Sequence, residues 1–283
     1  MKVPLLHVVA TDAVVEAPAF ETTAADLIAA GRDRIALHLR LRRIAGRDYH
    51  ELAKRLGKAA ADAGAWCVIN GRVDVALTSG AQAVQLGSGA LPVEAVRRLA
   101  GMRLPIGASV HSAGEARQRV AEGADFLVVG SVFFTATHPD RVPGGLALVT
   151  ACAVAGVPVV GIGGIDPGNG RQVIDAGAAG IAVIRAVWQA TNPVDALLRL
   201  IDVVAAPAHE QEDERRMLRV EVNGKDREVG DGRTVAGLLE DLELDGRLVV
   251  VELNRQIIRR TEIEHVALRD GDRVEIVHFV GGG

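Results

Sequence analysis

The sequence predicts an α/β TIM barrel, (β/α)8, followed by a small α+β module of the β-grasp, ubiquitin-like kind. Three observations carry this expectation. Eight short β-like runs, with amphipathic helical stretches between most of them, fill the first two hundred residues, a charged aperiodic stretch then breaks the pattern, and a hairpin signal, a helix and further strands crowd into the residues beyond it. At 283 residues the chain exceeds an ordinary single domain, so one large barrel plus a second unit fits its length. Hydrophobic residues make up 49% and aromatic ones only 3%, which suits helices packed through small side chains onto a parallel sheet.

The expected strands are Leu5–Val9, Ile35–Leu39, Trp66–Ile69, Ala83–Leu86, Ile106–Val110, Phe126–Val129, Val157–Gly161 and Gly180–Ile184. Helix-like segments lie between them: Tyr49–Ala63, Pro92–Ala100, Ala113–Glu122, Leu146–Ala155, Pro167–Ala176 and Pro193–Val204, several opened by Pro or a capping residue. Turns such as Ala63-Gly64-Ala65 and Ala176-Gly177-Ala178 stop helices just before strands. Eight such units close into a barrel; a doubly wound open sheet would need fewer strands.

Barrel chemistry sits at the C-terminal ends of the strands. After the seventh comes Gly161-Ile162-Gly163-Gly164-Ile165, and after the eighth Ile184-Arg185, where backbone N–H groups commonly hold phosphate. Gly163, Gly164, Ile184 and Arg185 are therefore the expected phosphate-binding residues. Arg40, Asn70, Gln85, Ser109, Ser131 and Thr135 stand at or just beyond other strand ends, with hydrogen bonds for a small polar heterocycle and an Arg40 charge for an anionic group. His111 is the expected general acid/base because imidazole titrates near neutral pH, although the His-Ser pair also serves simply to cap the next helix through Ser112. His138, on a Pro-bearing loop, is a second proton-transfer candidate; an exposed loop histidine is its ordinary explanation. His7, on the first strand, reads as a core residue.

Other chemistry is set aside by composition. A net charge of −4 argues against a nucleic-acid-coating surface, and no apolar run is long enough to span a bilayer. No leader-like cleavage site follows Met1. Cys67 and Cys152 are far apart in apolar surroundings without metal-site spacing, as expected of reduced core residues in a cytoplasmic protein.

Residues 1–204 thus form the expected barrel, 205–216 a charged linker and 217–283 the second module. In that module Leu218–Val222 alternates, Asn223-Gly224 signals a tight hairpin into Asp226–Val229, Thr234–Leu242 reads as a helix capped by Thr234 or Asp231, and Val249–Leu253 and Arg273–Val280 as strands. The last strand runs directly into Gly281-Gly282-Gly283. Bare glycines carry no Cβ, so such an arm can enter a narrow channel.

Residues 217–283, with Val222-Asn223-Gly224, Val251-Glu252-Leu253-Asn254, Asp270-Gly271-Asp272 and the terminal glycines, resemble the ThiS sulfur carriers of thiamine biosynthesis. The resemblance implies that the Gly283 carboxylate, on an arm with Gly282, is adenylated by a ThiF-like E1 enzyme using ATP, becomes a thiocarboxylate, and serves a ThiG-like thiazole synthase. Residues 1 to about 204 resemble the thiamine phosphate synthase/TenI family through His38-Leu39-Arg40, Asn70-Gly71-Arg72-Val73-Asp74, Val84-Gln85-Leu86, Ser109-Val110-His111-Ser112, Gly130-Ser131-Val132-Phe133-Phe134-Thr135 and Gly163-Gly164-Ile165. Synthases of that family carry magnesium-binding Asp residues where this chain has Gly71 and Ala90. The resemblance therefore implies the TenI, thiazole tautomerase branch, which aromatises a carboxythiazole phosphate without metal, though Ser131 stands where the tautomerase has a catalytic histidine. Two alternatives stay open: a thiamine phosphate synthase, which alone would call for Mg2+, and a non-catalytic docking partner. No bound cofactor is expected otherwise, and a homo-oligomer is compatible with the family.

Overall fold

The computed structural model describes residues 2–135, 142–206, 217–230, 233–242, 244, 249–260, 262–264 and 266–278. The chain divides into two compact units, Met1–Ala206 and Pro207–Gly283. The linker residues 207–216, His138 and the terminal glycines lie outside the described residues.

The first unit is a closed barrel of eight parallel strands, β1 (Leu6–Thr11), β2 (Ile35–Arg40), β3 (Trp66–Asn70), β4 (Ala83–Leu86), β5 (Ile106–Val110), β6 (Phe126–Gly130), β7 (Val159–Ile162) and β8 (Gly180–Val183), with β8 pairing back onto β1. Its described helices are α1 (Asp12–Val15), α2 (Phe20–Gly31), α3 (Gly46–Ala63), α4 (Val73–Thr78), α5 (Val93–Ala100), α6 (Ala113–Ala121), α7 (Gly145–Ala153), α8 (Gly170–Asp175), α9 (Arg185–Trp188) and α10 (Pro193–Ala205). Local chemistry explains several ends. The Ser112 hydroxyl accepts from Glu115 N at 3.1 Å to cap α6, and Asn192 Oδ1 accepts from Val194 N and Asp195 N before Pro193 opens α10. Gly64, at φ 75°, closes α3 in the left-handed conformation that glycine adopts without a Cβ clash.

Several expected boundaries are corrected. Strand β7 begins at Val159 rather than Val157 and reaches Ile162, and β8 ends at Val183, so Ile184 leads the short helix α9 instead of closing a strand. The expected helices Pro92–Ala100, Leu146–Ala155 and Pro167–Ala176 are Val93–Ala100, Gly145–Ala153 and Gly170–Asp175. Helices α2 and α4 were not expected: neither Ala19 nor Arg72 makes a side-chain cap, so their starts carry no sequence signal.

Strand alternation sorts the side chains. Leu6, Val8, Leu37, Leu39, Ile69 and Leu127 pack outward against the helices with Leu27, Leu52, Leu56 and Leu200. The inward set forms a second cluster of Val3, Ala36, Val68, Ala83, Phe126, Val128, Val160 and Ala182. Gly107 belongs to the inward parity of β5 because a Cβ there would stand 2.2 Å from Gln85 Oε1 and 2.3 Å from Phe126 Cζ. Gly107→Ala is therefore expected to destabilise the barrel by roughly 3 kcal/mol, the upper end of overpacking costs, since the buried Phe126 ring has no room to retreat. Urea unfolding measures this; a wild-type midpoint would refute the packing argument.

The second unit is a five-stranded sheet in the order β10-β9-β13-β11-β12, built from β9 (Met217–Val222), β10 (Lys225–Gly230), β11 (Val249–Leu253), β12 (Gln256–Ile258) and β13 (Arg273–His278) with the helix α11 (Val235–Asp241). Asn223 and Gly224, at φ 49° and 75°, make the expected tight hairpin between β9 and β10. Thr234 rather than Asp231 caps α11, its hydroxyl accepting from Gly237 N, and Asp231 lies outside the described residues. Strand β12 is additional. Leu218, Val220, Val235, Leu238, Leu239, Val251, Val274 and Ile276 form the core of this β-grasp.

Candidate functional site

The inward parity that fills the barrel also delivers polar groups to its C-terminal mouth. Asn70 and Gln85 are direct partners in the β3–β4 register, and Gln85 Nε2 donates to Ser109 Oγ on β5 at 3.0 Å. Gln85 is buried, with Oε1 lacking a partner among the described residues. Arg40 ends β2 half-buried and makes no hydrogen bond or ion pair among the described residues. Its guanidinium is lowered in pKa by burial and by Arg42, with Asp12 opposing, yet an arginine remains charged.

His111 follows β5. Its Nδ1 donates to the Gly130 carbonyl, which can only accept, so in the neutral ring Nε2 is the basic nitrogen. The His111 backbone N–H donates to Glu115 Oε2 at 2.7 Å, and Ser112 caps α6 as described, so the structural role foreseen for this pair holds beside any chemistry. Ser131 follows Gly130 directly and lies against Gly163, where an added Cβ would stand 2.6 Å from the Ser131 Cβ. His111, Ser131 and Gly163 are thereby contiguous across the ends of β5, β6 and β7.

A cavity of about 430 Å3 opens beside them, lined by Phe134, Thr135, Gly163, Gly164, Ile184 and Arg185 among others. Gly163 and Gly164 have φ of 108° and 67°, and Phe133 N donates to Gly163 O at 2.9 Å, so the loop after β6 is pinned onto the loop after β7. Among the described residues the amides of Gly163, Gly164, Arg185 and Ala186 donate to no protein acceptor. Asp166, also in the cavity wall, is turned into its own loop and accepts from Gly168 N at 2.8 Å. Unclaimed N–H groups with an exposed Arg185 make a cradle for an oxyanion. The expected phosphate-binding residues are thus brought together with Thr135.

The sequence places His7 in the core and His38 in a family motif, and assigns neither a role at the site. Both are buried in the barrel below Asn70: His7 Nδ1 is 2.8 Å from His38 Nε2, His7 Nε2 is 3.2 Å from the Pro4 carbonyl, and His38 Nδ1 is 3.1 Å from Asn70 Oδ1. Burial takes His38 down to about 4; burial and His38 likewise drive His7 well below its ordinary value, opposed by the bond to the Pro4 carbonyl. Between pH 6.5 and 4 the unfolded chain then binds more protons than the folded one, so stability falls as pH falls through that window. His38 alone accounts for roughly 3 kcal/mol. A urea midpoint unchanged between pH 7 and pH 4.5 would contradict this.

The two positions at which the resemblance to the synthases places magnesium carboxylates, Gly71 and Ala90, offer none, and the nearby Asp74 is paired with Arg72 at 2.6 Å. Cys67 and Cys152 are free and buried, with the Cys67 thiol pushed up to about 12 by burial.

With this geometry in view, residues 6–187 match the TMP-TENI family model, described as thiamine monophosphate synthase. The chain belongs to that family. Residues 220–283 match the ThiS family model, so the chain joins a TMP-TENI barrel to a ThiS module. A thiamine-phosphate synthase of Methanoculleus marisnigri is 40% identical over 200 residues, covering 70% of this chain and 94% of that protein. The bifunctional protein ThiM/ThiE of Symbiobacterium thermophilum is 46% identical over 156 residues, 54% of this chain but only 32% of that protein. The chain also spans only 46% of the Gloeobacter violaceus thiamine-phosphate synthase it matches. Among solved structures, thiamine phosphate pyrophosphorylase from Pyrococcus furiosus is similar with a TM-score of 0.63 and 33% identity, covering 71% of this chain and 95% of that one. The names of these relatives side with the synthase alternative rather than the tautomerase reading.

No described helix is long and apolar enough to cross a membrane.

Proposed function

We propose that this TMP-TENI barrel serves thiamine biosynthesis by aromatising a carboxythiazole phosphate through a metal-independent proton shift. The donor set supports the reading: Gly71 and Ala90 stand where the resemblance places the synthases' magnesium carboxylates, while the unclaimed amides around Gly163 and Gly164 and the His111 imidazole offer donors and a base suited to a phosphorylated substrate and a proton shift. Gly163, Gly164 and Arg185 seat the phosphate, with Ile184 and Thr135 in the cavity wall. Asn70 and Ser131 face the ring, and Arg40 meets its carboxylate. Gln85 supports this wall through Ser109. His111 Nε2 takes a proton from one ring-system atom and returns it at another, so atoms and charge balance with no added reagent. His138 is the second candidate for that return step and lies outside the described residues.

The second reading is coupling of a pyrimidine pyrophosphate to thiazole phosphate, supported by the names of the relatives. One pair of assays separates them. The wild-type chain should convert the tautomer saturably above the solution rate, with His111→Asn slower by about 100-fold. It should release no pyrophosphate from the two synthase substrates with Mg2+. Measurable pyrophosphate would overturn the first reading, and absence of both activities would leave the docking role.

The ThiS module is proposed as the sulfur carrier. A ThiF-like E1 enzyme joins the Gly283 carboxylate to AMP, releasing pyrophosphate from ATP. Hydrosulfide-level sulfur from a donor then attacks the acyl carbon and expels AMP, forming the C–S bond as the C–O bond to AMP breaks, and a ThiG-like thiazole synthase consumes the thiocarboxylate.

A further inference from the structure

The buried pair His7 and His38 has a direction that its surroundings impose. The Pro4 carbonyl can only accept, so His7 Nε2, 3.2 Å away, carries a proton. Neutral His7 then has a bare Nδ1, and the group facing it at 2.8 Å, His38 Nε2, must be the donor. Neutral His38 in turn has a bare Nδ1, 3.1 Å from the Asn70 amide. Two acceptors at that distance repel, whereas the amide turned end for end places its NH2 group there and satisfies every member of the chain. The reverse direction leaves two acceptors facing at Pro4, where no side chain is free to rotate.

We infer that His7 and His38 are positioning residues that fix the Asn70 amide with Nδ2 toward His38 and Oδ1 toward the barrel mouth. The mouth therefore presents an acceptor at the end of β3, and the ligand atom seated there is an O–H or N–H donor. Full burial supports neutral rings, since both imidazoles are lowered in pKa. The inference does not depend on which reaction the barrel performs, because it concerns the orientation of a side chain at the shared mouth.

The test is nitrogen-15 NMR of the full chain near neutral pH, in which long-range couplings distinguish the tautomers. Both His7 and His38 should be Nε2–H tautomers, with a through-hydrogen-bond coupling between Asn70 Nδ2 and His38 Nδ1. An Nδ1–H tautomer at either ring would overturn the inference. Asn70→Asp gives an independent check, because a carboxylate can only accept: it should add a proton at His38 Nδ1 and shift that ring's nitrogen signals. If those signals stayed at their wild-type positions, Asn70 would not be the donor. The wild-type spectra decide the matter should this variant fail to fold.

Discussion

Removal of Gly283 from the full chain is expected to abolish thiocarboxylate formation, and removal of Gly282 with it to leave no residual product. The expectation rests on reach. β13 is held between β9 and β11, with Val274 and Ile276 in the core, so the point from which the tail departs is fixed by packing upstream of it. The carboxylate beyond must arrive at a nucleotide in another protein's site, and each deleted residue withdraws it by about 3.4 Å. Displacement of that order costs a well-aligned reaction at least about 100-fold. Intact mass after incubation with the E1-like enzyme, ATP and a sulfur source should show sulfur replacing oxygen in the wild type only. The module should unfold as before, because the deleted glycines carry no side chain to pack. An undiminished mass gain in the shortened chain would sink the carrier assignment.

Gly164→Val should weaken binding of a phosphorylated thiazole, or of inorganic phosphate, by about 100-fold, equivalent to roughly 3 kcal/mol. Gly164 has φ 67°, which a β-branched residue resists, and a Cβ there would stand 2.4 Å from the Phe134 carbonyl and 2.8 Å from the Phe133 Cβ. The loop after β6 cannot yield without losing the bond from Phe133 N to Gly163 O, so the cradle amides move with it. Arg185→Gln, a change at an exposed side chain, keeps the cradle and loses only charge, with an expected loss of about tenfold. Titration calorimetry reads both. Wild-type affinity in both variants would place the phosphate elsewhere.

Much of the site was legible because barrel chemistry is tied to strand ends, and strand ends can be found by locating turns. Arg40, Asn70, Gln85, Ser109, Gly163 and Arg185 were reached that way. The cap at Ser112 was equally local. His7 reads as a core residue and His38 only as part of a family signature, and what gives them a role is a contact between strands more than thirty positions apart. The contiguity of His111, Ser131 and Gly163 escaped for the same reason. Helices α2 and α4 were hidden by uncapped starts, their stability coming from packing on the barrel wall rather than from terminal signals.

By itself the sequence determined the eight strand runs, the break near residue 205, the Asn223-Gly224 hairpin and the absence of carboxylates at positions 71 and 90. Each depends on residue type or spacing within one segment. Only the tertiary structure decided which polar groups meet: the Gln85–Ser109 bond, the pinning of two loops around Gly163 and Gly164, and the directed chain from Pro4 through His7 and His38 to Asn70. Those depend on the register of parallel strands joined by long crossovers. No local pattern encodes that register, because barrel closure and packing against the helices set it.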